Sequence, residues 1–335
     1  MKRVVLCLML IMMTGCAARS VTRDNPALPE PEKTPEARAQ QTPGRAAADL
    51  VPERLSRDAQ GVPVLRVYDT ETRDVKKLSV EDYLPAVLAG EMAGDWPLEA
   101  LKAQAILART FVLQFVTQKT SMYEGADIST DIKEAQAYDA SGVNARIREA
   151  VEGTRGLVLN AGGELPYAWF HAHSGGLTAR AKEGLDYEKA EPSYTQCVKG
   201  MEDDSAPPEA MHWEAVFTPE EVLAAAKDVG AAVKELTQID VGQRGESGRA
   251  MTLMISGREV SAPAFRLAIG STKMRSCLLE SLRVEDGRVI MSGRGYGHGV
   301  GMSQWGAYAM AKEGRSSEEI VRHYFAGVTL DRAWE

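Results

Sequence analysis

"SGRGYGHGVGMSQWGAYAMAKEG", the stretch Ser292–Gly314, carries a glycine at every second position from Gly293 to Gly301. Such spacing weakens a strand or a helix, because glycine loses more conformational freedom on folding than any other residue. The stretch lacks the Gly-Lys-Ser/Thr ending of a phosphate loop and the acidic residue that follows a dinucleotide-binding turn. Two interpretations remain: the glycines let the backbone approach a bulky ligand, or they form a tight crossover of the chain.

The side chains between and after these glycines suit a carbohydrate ligand. Tyr296, His298, Gln304 and Trp305 combine flat apolar faces with hydrogen-bond donors and acceptors. Sugar rings require both features, because they present apolar C–H faces and a rim of hydroxyl groups. We therefore treat this stretch as a candidate sugar-binding segment.

The N-terminus resembles a bacterial lipoprotein signal. Lys2 and Arg3 precede an apolar run, Val4–Met13, that is too short to span a bilayer as a mature helix. Small residues stand directly before Cys16, so removal of a signal peptide over 1–15 would leave Cys16 as the lipidated first residue. An ordinary signal peptide with an incidental cysteine is the alternative. Residues 16–60, rich in Pro, Ala, Arg, Glu and Gln, are expected to form a disordered tether.

Two cysteines remain beyond this signal, Cys197 and Cys277. Because an exported protein meets an oxidising environment, we predict a disulfide between them, with two buried thiols as the alternative. Neither belongs to a CxxC pair, so these two residues alone are not expected to bind a metal. The formal net charge of −8 and the absence of a dominant basic patch in the sequence argue against a nucleic-acid partner.

Hydrophobic periodicity indicates helices and strands without the regular alternation of a doubly wound sheet. A helix is predicted from Ser79 to about residue 92, a hairpin at Asp286–Gly287 and a strand at Phe265–Gly270. The expected fold class is therefore α+β, with mixed helices and antiparallel strands that form a cleft. We expect one ordered domain over 61–335, with a smaller satellite region at about 200–275.

An acidic residue continues the apolar face of the first predicted helix. Glu91 lies three to four residues beyond Val87 and Leu88, which belong to that face. Burial there would raise the pKa of the carboxyl group and suit it to general acid catalysis near neutral pH. A helix end that emerges into solvent explains the same spacing. Arg109 on the next helix would face Glu91 if the helices pack as a hairpin, whereas a surface arginine is the alternative.

The segment "WFHAHSGG", Trp169–Gly176, offers further polar candidates. A strand here would place His171 and His173 on one face, and distant His298 could join them as a metal ligand, yet no third ligand is evident nearby. Hydrogen-bonded histidines at the mouth of a loop are the simpler interpretation. Ser174 lacks the flanking glycines of a nucleophile elbow, so a nucleophilic role is not favoured.

Three segments together resemble the SpoIID/LytB family, the stage II sporulation protein D group. They are "EDYLPAVLAGEMAGDWPLEALKAQAILARTF" (Glu81–Phe111), "WFHAHSGGLT" (Trp169–Thr178) and "GRGYGHGVGMSQWGAYAMA" (Gly293–Ala311). The resemblance covers roughly residues 62–330. It implies a peptidoglycan lytic transglycosylase, which cleaves between N-acetylmuramic acid and N-acetylglucosamine, leaves a 1,6-anhydro end and prefers strands stripped of stem peptides.

The resemblance also implies roles for single residues. Glu91 falls on the glutamate of the family's Gly-Glu-Met segment and would be the catalytic acid, then the base that accepts the proton of the muramoyl C6 hydroxyl. That hydroxyl closes on C1, so one carboxylate suffices where ordinary glycosidases need two. The substrate-binding residues expected are Arg109, His171, Ser174, Thr178, Tyr194, Tyr296, His298 and Gln304.

Two departures from the family pattern qualify these expectations. His171–Ser174 reads His-Ala-His-Ser where the family has His-Ser-x-Ser, so one hydroxyl is lost. Some relatives bind zinc with His and Cys around this segment, but no Cys lies near it in this sequence, so we expect neither zinc nor another cofactor. Cys277 stands where relatives commonly carry Thr, which would make the predicted disulfide specific to this branch.

The expected partners are peptidoglycan glycan strands and a membrane that the lipid on Cys16 would reach. Ala17 after the lipidated cysteine suits sorting to the periplasmic face of the outer membrane. A non-catalytic glycan-binding module that stimulates another hydrolase is the main alternative function. A metal-dependent amidase that uses His171, His173 and His298 is the third.

Overall fold

A computed structural model describes residues 47–335. The predicted signal peptide at 1–15, the lipidation of Cys16 and the first part of the predicted tether lie outside the described residues. Within the described part of the chain, no helix combines the length and the apolar character needed to cross a membrane.

Helices and short strands alternate irregularly along the described chain, which confirms the α+β class. A 3-10 helix at Ala47–Leu50 precedes the α-helices, which are α1 Val80–Glu91, α2 Leu98–Gln118, α3 Ala145–Gly153, α4 Ala181–Leu185, α5 Pro208–Met211, α6 Pro219–Asp228, α7 Ala262–Ile269, α8 Gln304–Lys312 and α9 Ser317–Tyr324. The strands are β1 Val64–Asp69, β2 Asp74–Ser79, β3 Ile128–Ser129, β4 Leu157–Asn160, β5 Phe170–His171, β6 His212–Phe217, β7 Ile239–Val241, β8 Thr252–Ile255, β9 Arg258–Ser261, β10 Leu279–Glu285, β11 Arg288–Arg294, β12 Met302–Ser303 and β13 Thr329–Arg332.

The strands form small sheets of two or three members. Their orders are β2-β1-β3, β10-β11-β6, β12-β5, β13-β4 and β7-β8-β9. Most pairs are antiparallel, and the pairs β1–β3 and β5–β12 are parallel. The predicted hairpin is confirmed, because Asp286 and Gly287 both adopt positive φ in the turn between β10 and β11.

The larger hydrophobic core surrounds α2. Small side chains at Ala100, Ala103, Ala105 and Ala108 are fully buried along this helix, so α1, α3, α8 and α9 can approach it closely. Helix α1 begins where predicted, since the Ser79 hydroxyl accepts a hydrogen bond from the Asp82 N–H at 3.1 Å. Helices α1 and α2 therefore pack against each other and hold the C-terminal end of α1 in place.

Residues 47–60 differ from the predicted tether. Leu50, Val51 and Leu55 are buried in the larger core, and Arg54 donates to the Asp127 carboxylate at 2.7 Å. Three apolar residues within a polar stretch are enough to bring this segment onto the domain. The tether prediction is therefore wrong for its last fourteen residues, 47–60.

A second hydrophobic core lies under β6, β10 and β11 and is completed by β7–β9, α6 and α7. Its buried residues run from Trp213 to Met291, so this core includes strands beyond the predicted satellite range of 200–275. The strand predicted at Phe265–Gly270 is wrong, since this segment belongs to α7. Ser261 caps that helix by accepting from the Ala264 N–H at 3.2 Å.

The glycine-rich stretch passes closely against the rest of the protein. A Cβ on Gly301 would overlap the Trp169 carbonyl, and one on Gly299 would overlap the Arg249 guanidinium; both glycines also have positive φ. Beyond them, β12 pairs with β5 and leads directly into α8. At these positions the contacts favour the crossover interpretation, because they are made with the protein itself.

Candidate active site

Glu91 is the last residue of α1 and is half-buried. Its Oε1 accepts a hydrogen bond from the Ala137 N–H at 2.8 Å. Burial raises the pKa of this carboxyl group to about 7, although the Ala137 hydrogen bond acts in the opposite direction. No charged side chain among residues 47–335 contributes to this shift. Glu91 is therefore an acid that can hold or release a proton near neutral pH.

The end of the glycine-rich stretch lies beside Glu91. Gln304, the first residue of α8, is buried and its Nε2 donates to the Glu91 carbonyl at 3.3 Å. Ser303 fixes the start of α8, since its hydroxyl accepts from the Gly306 N–H at 3.2 Å. Residues more than two hundred positions apart in sequence thus meet at one place.

Arg109 is placed differently from the sequence expectation. Its side chain is fully buried and forms a bidentate ion pair with Glu81, through Nε to Oε1 at 3.0 Å and Nη2 to Oε2 at 2.8 Å. Glu81 also accepts from the Gly156 N–H and the Trp334 indole N–H. Arg109 therefore joins α1, α2 and the C-terminal segment, and it does not face Glu91 or an open cleft. Helical spacing could not identify Glu81 as its partner, because α1 carries three acidic residues and the packing of α1 against α2 decides which of them meets Arg109.

Two candidate residues after β5, Thr178 and Ser174, are buried and their hydroxyl groups bond to backbone groups. Thr178 is 1% exposed, and its hydroxyl donates to the Gln196 carbonyl at 2.8 Å and accepts from the Val198 N–H at 2.9 Å. Ser174 is fully buried, and its hydroxyl accepts from the Gly176 N–H at 3.1 Å. These two residues therefore shape the loop, and substrate cannot reach them directly.

The three candidate histidines lie close to this loop. His171 Nδ1 donates to the Val300 carbonyl at 3.2 Å, and the His171 and His298 rings are 5.8 Å apart. His173 Nδ1 accepts from the Gly175 N–H at 2.9 Å. Burial lowers the pKa of all three, that of His298 to about 3, so they are neutral near pH 7. Within residues 47–335, no three His, Cys, Asp or Glu side chains are grouped so as to hold a metal ion.

The two candidate tyrosines are half-buried. The Tyr194 hydroxyl accepts from the Tyr167 N–H at 2.9 Å, and burial raises the pKa of Tyr194 to about 12. Tyr296 pairs through its backbone with His173, and the Arg275 guanidinium lies 5.3 Å from the centre of its ring. Both rings are therefore held by partners within the protein.

Glu202 joins the loop after β5 to the start of α8, and no sequence pattern singled it out. Its Oε1 accepts from the Ser174 N–H and from the Ser303 hydroxyl, each at 2.6 Å, and its side chain is only 6% exposed. It therefore connects the loop after β5 with the start of α8, next to Gln304. Its surroundings, "GMEDDS", are those of an ordinary acidic loop, so no local signal identified it.

Two further buried charged residues, Arg249 and Glu183, were also missed. Arg249 donates through Nη2 to the Ser174 carbonyl and through Nη1 to the Leu177 carbonyl, and Gly299 packs on its guanidinium. Glu183 accepts from the backbone N–H groups of Ser247 and Arg249. These charges connect the second core with the loop and the glycine-rich stretch.

The predicted disulfide is not formed. Cys197 is half-buried and Cys277 is buried, and both are free thiols. Cys277 belongs to the second hydrophobic core, whereas Cys197 lies in the segment that pairs with Thr178. Burial raises the pKa of each thiol to about 11, which keeps both protonated and unreactive.

A groove of about 470 Å³ lies along β6 and is lined in part by His212, Trp213, Lys273 and Arg275. None of its lining residues touches Glu91 or Gln304 through the contacts described above. The candidate site is therefore identified by the burial and hydrogen bonds of Glu91, and this groove is not part of it.

Comparison with known proteins identifies related sequences over most of the chain. A family model described as "Stage II sporulation protein" matches residues 68–160, and a domain of unknown function (DUF8618) matches residues 194–301. Stage II sporulation protein D of Bacillus amyloliquefaciens is 30% identical over 283 residues, which cover 80% of this chain and 78% of that protein.

The chain belongs to the SpoIID family. Stage II sporulation protein D of Bacillus subtilis (strain 168) is 29% identical over 297 residues, covering 84% of this chain and 82% of that protein. An amidase enhancer of the same organism is 27% identical over 291 residues, covering 74% of this chain and 40% of that protein. Glu91 and the Glu81–Arg109 pair fall within the segment matched by the SpoIID model, and Glu202 falls within the second matched segment.

Proposed function

We propose that this protein acts on the bacterial cell wall as a peptidoglycan lytic transglycosylase with Glu91 as its single acid and base. Membership of the SpoIID family supports a role at the cell wall and the cell envelope. The observation that carries the finer proposal is the half-buried Glu91 carboxyl group, whose pKa is raised to about 7 by burial, with no contribution from a charged side chain among residues 47–335. A group of this kind is protonated and deprotonated in useful amounts at neutral pH.

The proposed reaction needs only this one carboxyl group. Protonated Glu91 donates its proton to the glycosidic oxygen as the bond from that oxygen to the muramoyl C1 breaks. The C6 hydroxyl of the same muramoyl residue then bonds to C1, and its proton passes to the Glu91 carboxylate. The products are a 1,6-anhydro end and a free 4-hydroxyl group, and Glu91 returns to its starting state. Water is not consumed, so no second carboxylate is needed to activate it.

The surrounding residues act mainly by fixing the position of Glu91. Ala137 holds one carboxyl oxygen, and Gln304 holds the backbone carbonyl of the same residue. Glu202 holds the start of α8 and thereby the position of Gln304. We propose that substrate oxygens contact the residues around Glu91. The fully buried Arg109 contributes indirectly, by joining α1, α2 and the C-terminal segment through Glu81.

Digestion of glycan strands stripped of stem peptides tests this proposal. Wild-type protein should release fragments with anhydro ends, and Glu91→Gln, which keeps the side-chain volume and the acceptor for Ala137, should release none. Wild-type release of ordinary reducing ends, or full activity of Glu91→Gln, would contradict the mechanism.

A non-catalytic module is the second candidate, because one relative is named an amidase enhancer. This alternative predicts that wild-type protein and Glu91→Gln bind glycan equally and that neither cleaves it. It also predicts that both accelerate a separate cell-wall amidase to the same extent.

A further inference from the structure

Three aromatic side chains meet where the loop after α1 contacts the start of α8. Trp96 lies in the loop between α1 and α2, and Trp305 and Tyr308 lie in the first turns of α8. The ring centroids of Trp96 and Trp305 are 4.6 Å apart, and Tyr308 lies 5.1 Å from Trp96 and 5.2 Å from Trp305. We call these three side chains the aromatic platform.

The rings of the aromatic platform pack at an angle to one another. The interplanar angles are 50°, 58° and 72°, so no pair stacks face to face, and all three residues are half-buried. The Lys312 ammonium group lies 5.5 Å from the centre of the Tyr308 ring and occupies one side of it. Trp96 and Trp305 are therefore the rings best able to offer a flat apolar face to a ligand.

The protein fixes both tryptophans through their backbones. The Arg146 guanidinium donates to the Trp96 carbonyl at 3.2 Å, and the Asn144 amide donates to the Gly94 carbonyl at 3.0 Å. The Trp305 N–H donates to the Ala172 carbonyl at 3.0 Å. Such anchoring lowers the entropy that would be lost when a ligand packs on the rings.

We infer that the aromatic platform is a subsite for one N-acetylated sugar ring of the glycan strand, adjacent to the bond cleaved at Glu91. The inference rests on the proposed function for the identity of the polymer. A pyranose ring presents a face of C–H groups, which packs on an aromatic face, while its hydroxyl and acetamido groups remain at the rim for hydrogen bonds.

The position of the aromatic platform follows from two short connections. Trp305 is the residue after Gln304, whose side chain donates to the Glu91 carbonyl, and Trp96 follows Glu91 by five residues. In the proposed subsite, a polymer bound at Glu91 rests its neighbouring ring on the aromatic platform. The subsite would hold that ring and so set where the strand lies along the carboxyl group.

A second aromatic trio provides a matched control. Tyr167 and Trp169 are stacked at 4.8 Å with an interplanar angle of 9°, and Tyr187 packs edge-on against both. Each ring of the stacked pair covers one face of the other, and no hydrogen bond described above connects this trio to Glu91. Substitution of Trp169 therefore shows the effect of losing a half-buried tryptophan while the aromatic platform stays intact.

Binding is measured with stem-peptide-free glycan strands in a Glu91→Gln background, which separates affinity from cleavage. We expect Trp96→Leu and Trp305→Leu each to weaken binding about tenfold, since leucine keeps apolar volume but lacks a flat face. Trp169→Leu should bind within about twofold of the parent. Circular dichroism and melting temperature show whether each variant is folded.

Oxidative footprinting of the unmutated tryptophans in the same Glu91→Gln protein avoids any dependence on folding of the variants. Saturating glycan should protect Trp96 and Trp305 from oxidation and leave Trp169 unprotected. Equal protection of all three, no protection of Trp96 and Trp305, or failure of the parent to bind glycan would overturn the subsite.

Wild-type turnover distinguishes this inference from the proposed function. If wild-type protein produces anhydro ends but glycan does not protect Trp96 and Trp305, the proposed function stands and the proposed subsite is wrong. If glycan protects both tryptophans but wild-type protein produces no anhydro ends, the subsite stands and the proposed enzymatic function is wrong.

Discussion

The Glu91→Gln variant tests the electrostatics of the candidate site without any substrate. In the folded protein the pKa of Glu91 is raised from 4.5 to about 7 by burial. The folded state therefore retains a proton that the unfolded state loses between these two values. The resulting stabilisation is fully present below pH 4.5 and is lost as the pH rises through 7.

The magnitude follows from the size of the shift. One pKa unit corresponds to about 1.4 kcal/mol, so ionised Glu91 should destabilise the folded protein by about 3 kcal/mol at pH 8 relative to pH 4. Glutamine carries no charge at any pH and keeps an oxygen that can accept from the Ala137 N–H. The variant should therefore gain about 3 kcal/mol over wild type across this range.

Urea denaturation of both proteins at several pH values between 4 and 8 measures this difference. All other titrating groups are shared, so the change in the difference isolates Glu91. We expect a flat difference below pH 4.5, a rise between 4.5 and 7, and a plateau above. A difference that stays constant over the whole range would show that Glu91 titrates as an exposed carboxyl group, and the reasoning about its burial would fail.

Three further perturbations address the framework. Arg109→Ala should lower the free energy of unfolding by about 3 to 5 kcal/mol, because Glu81 is left buried without its cation; a loss below about 1 kcal/mol in chemical denaturation would contradict this. Glu202→Ala should cost about 2 to 3 kcal/mol and Glu202→Gln less, since glutamine still offers an acceptor oxygen; equal losses in thermal melts would exclude the hydrogen-bonding role. Reducing agent should leave the melting temperature unchanged, and Cys277 should react with a thiol reagent only after unfolding, whereas mass spectrometry that finds it joined to Cys197 would contradict the free thiols.

Local signals in the sequence predicted much of the structure around Glu91. The Ser79 cap predicted the start of α1. The apolar stripe before Glu91 indicated that this residue could be buried. The Asp286–Gly287 turn followed from residues that tolerate positive φ. Each of these features depends on neighbours within one or two turns of the chain, which a sequence displays directly.

Contacts between distant segments were not predictable in the same way. Arg109 pairs with Glu81 and not with Glu91, although both acids lie on α1, because the choice depends on how α1 and α2 are rotated against each other. Glu202 has no recognisable motif, and its role appears only when the loop after β5 meets α8. The strand predicted at Phe265–Gly270 is wrong, because this segment lies in α7 up to Ile269 and the Ser261 cap that starts the helix lies outside it.

Cleavage of peptide-free glycan in water labelled with heavy oxygen tests the central claim most directly. If Glu91 accepts the proton of the C6 hydroxyl and the oxygen of that hydroxyl bonds to C1, mass spectrometry will find anhydro-muramoyl ends that carry no label. Products with labelled reducing ends would mean that water attacks C1, and the single-carboxylate mechanism would be wrong.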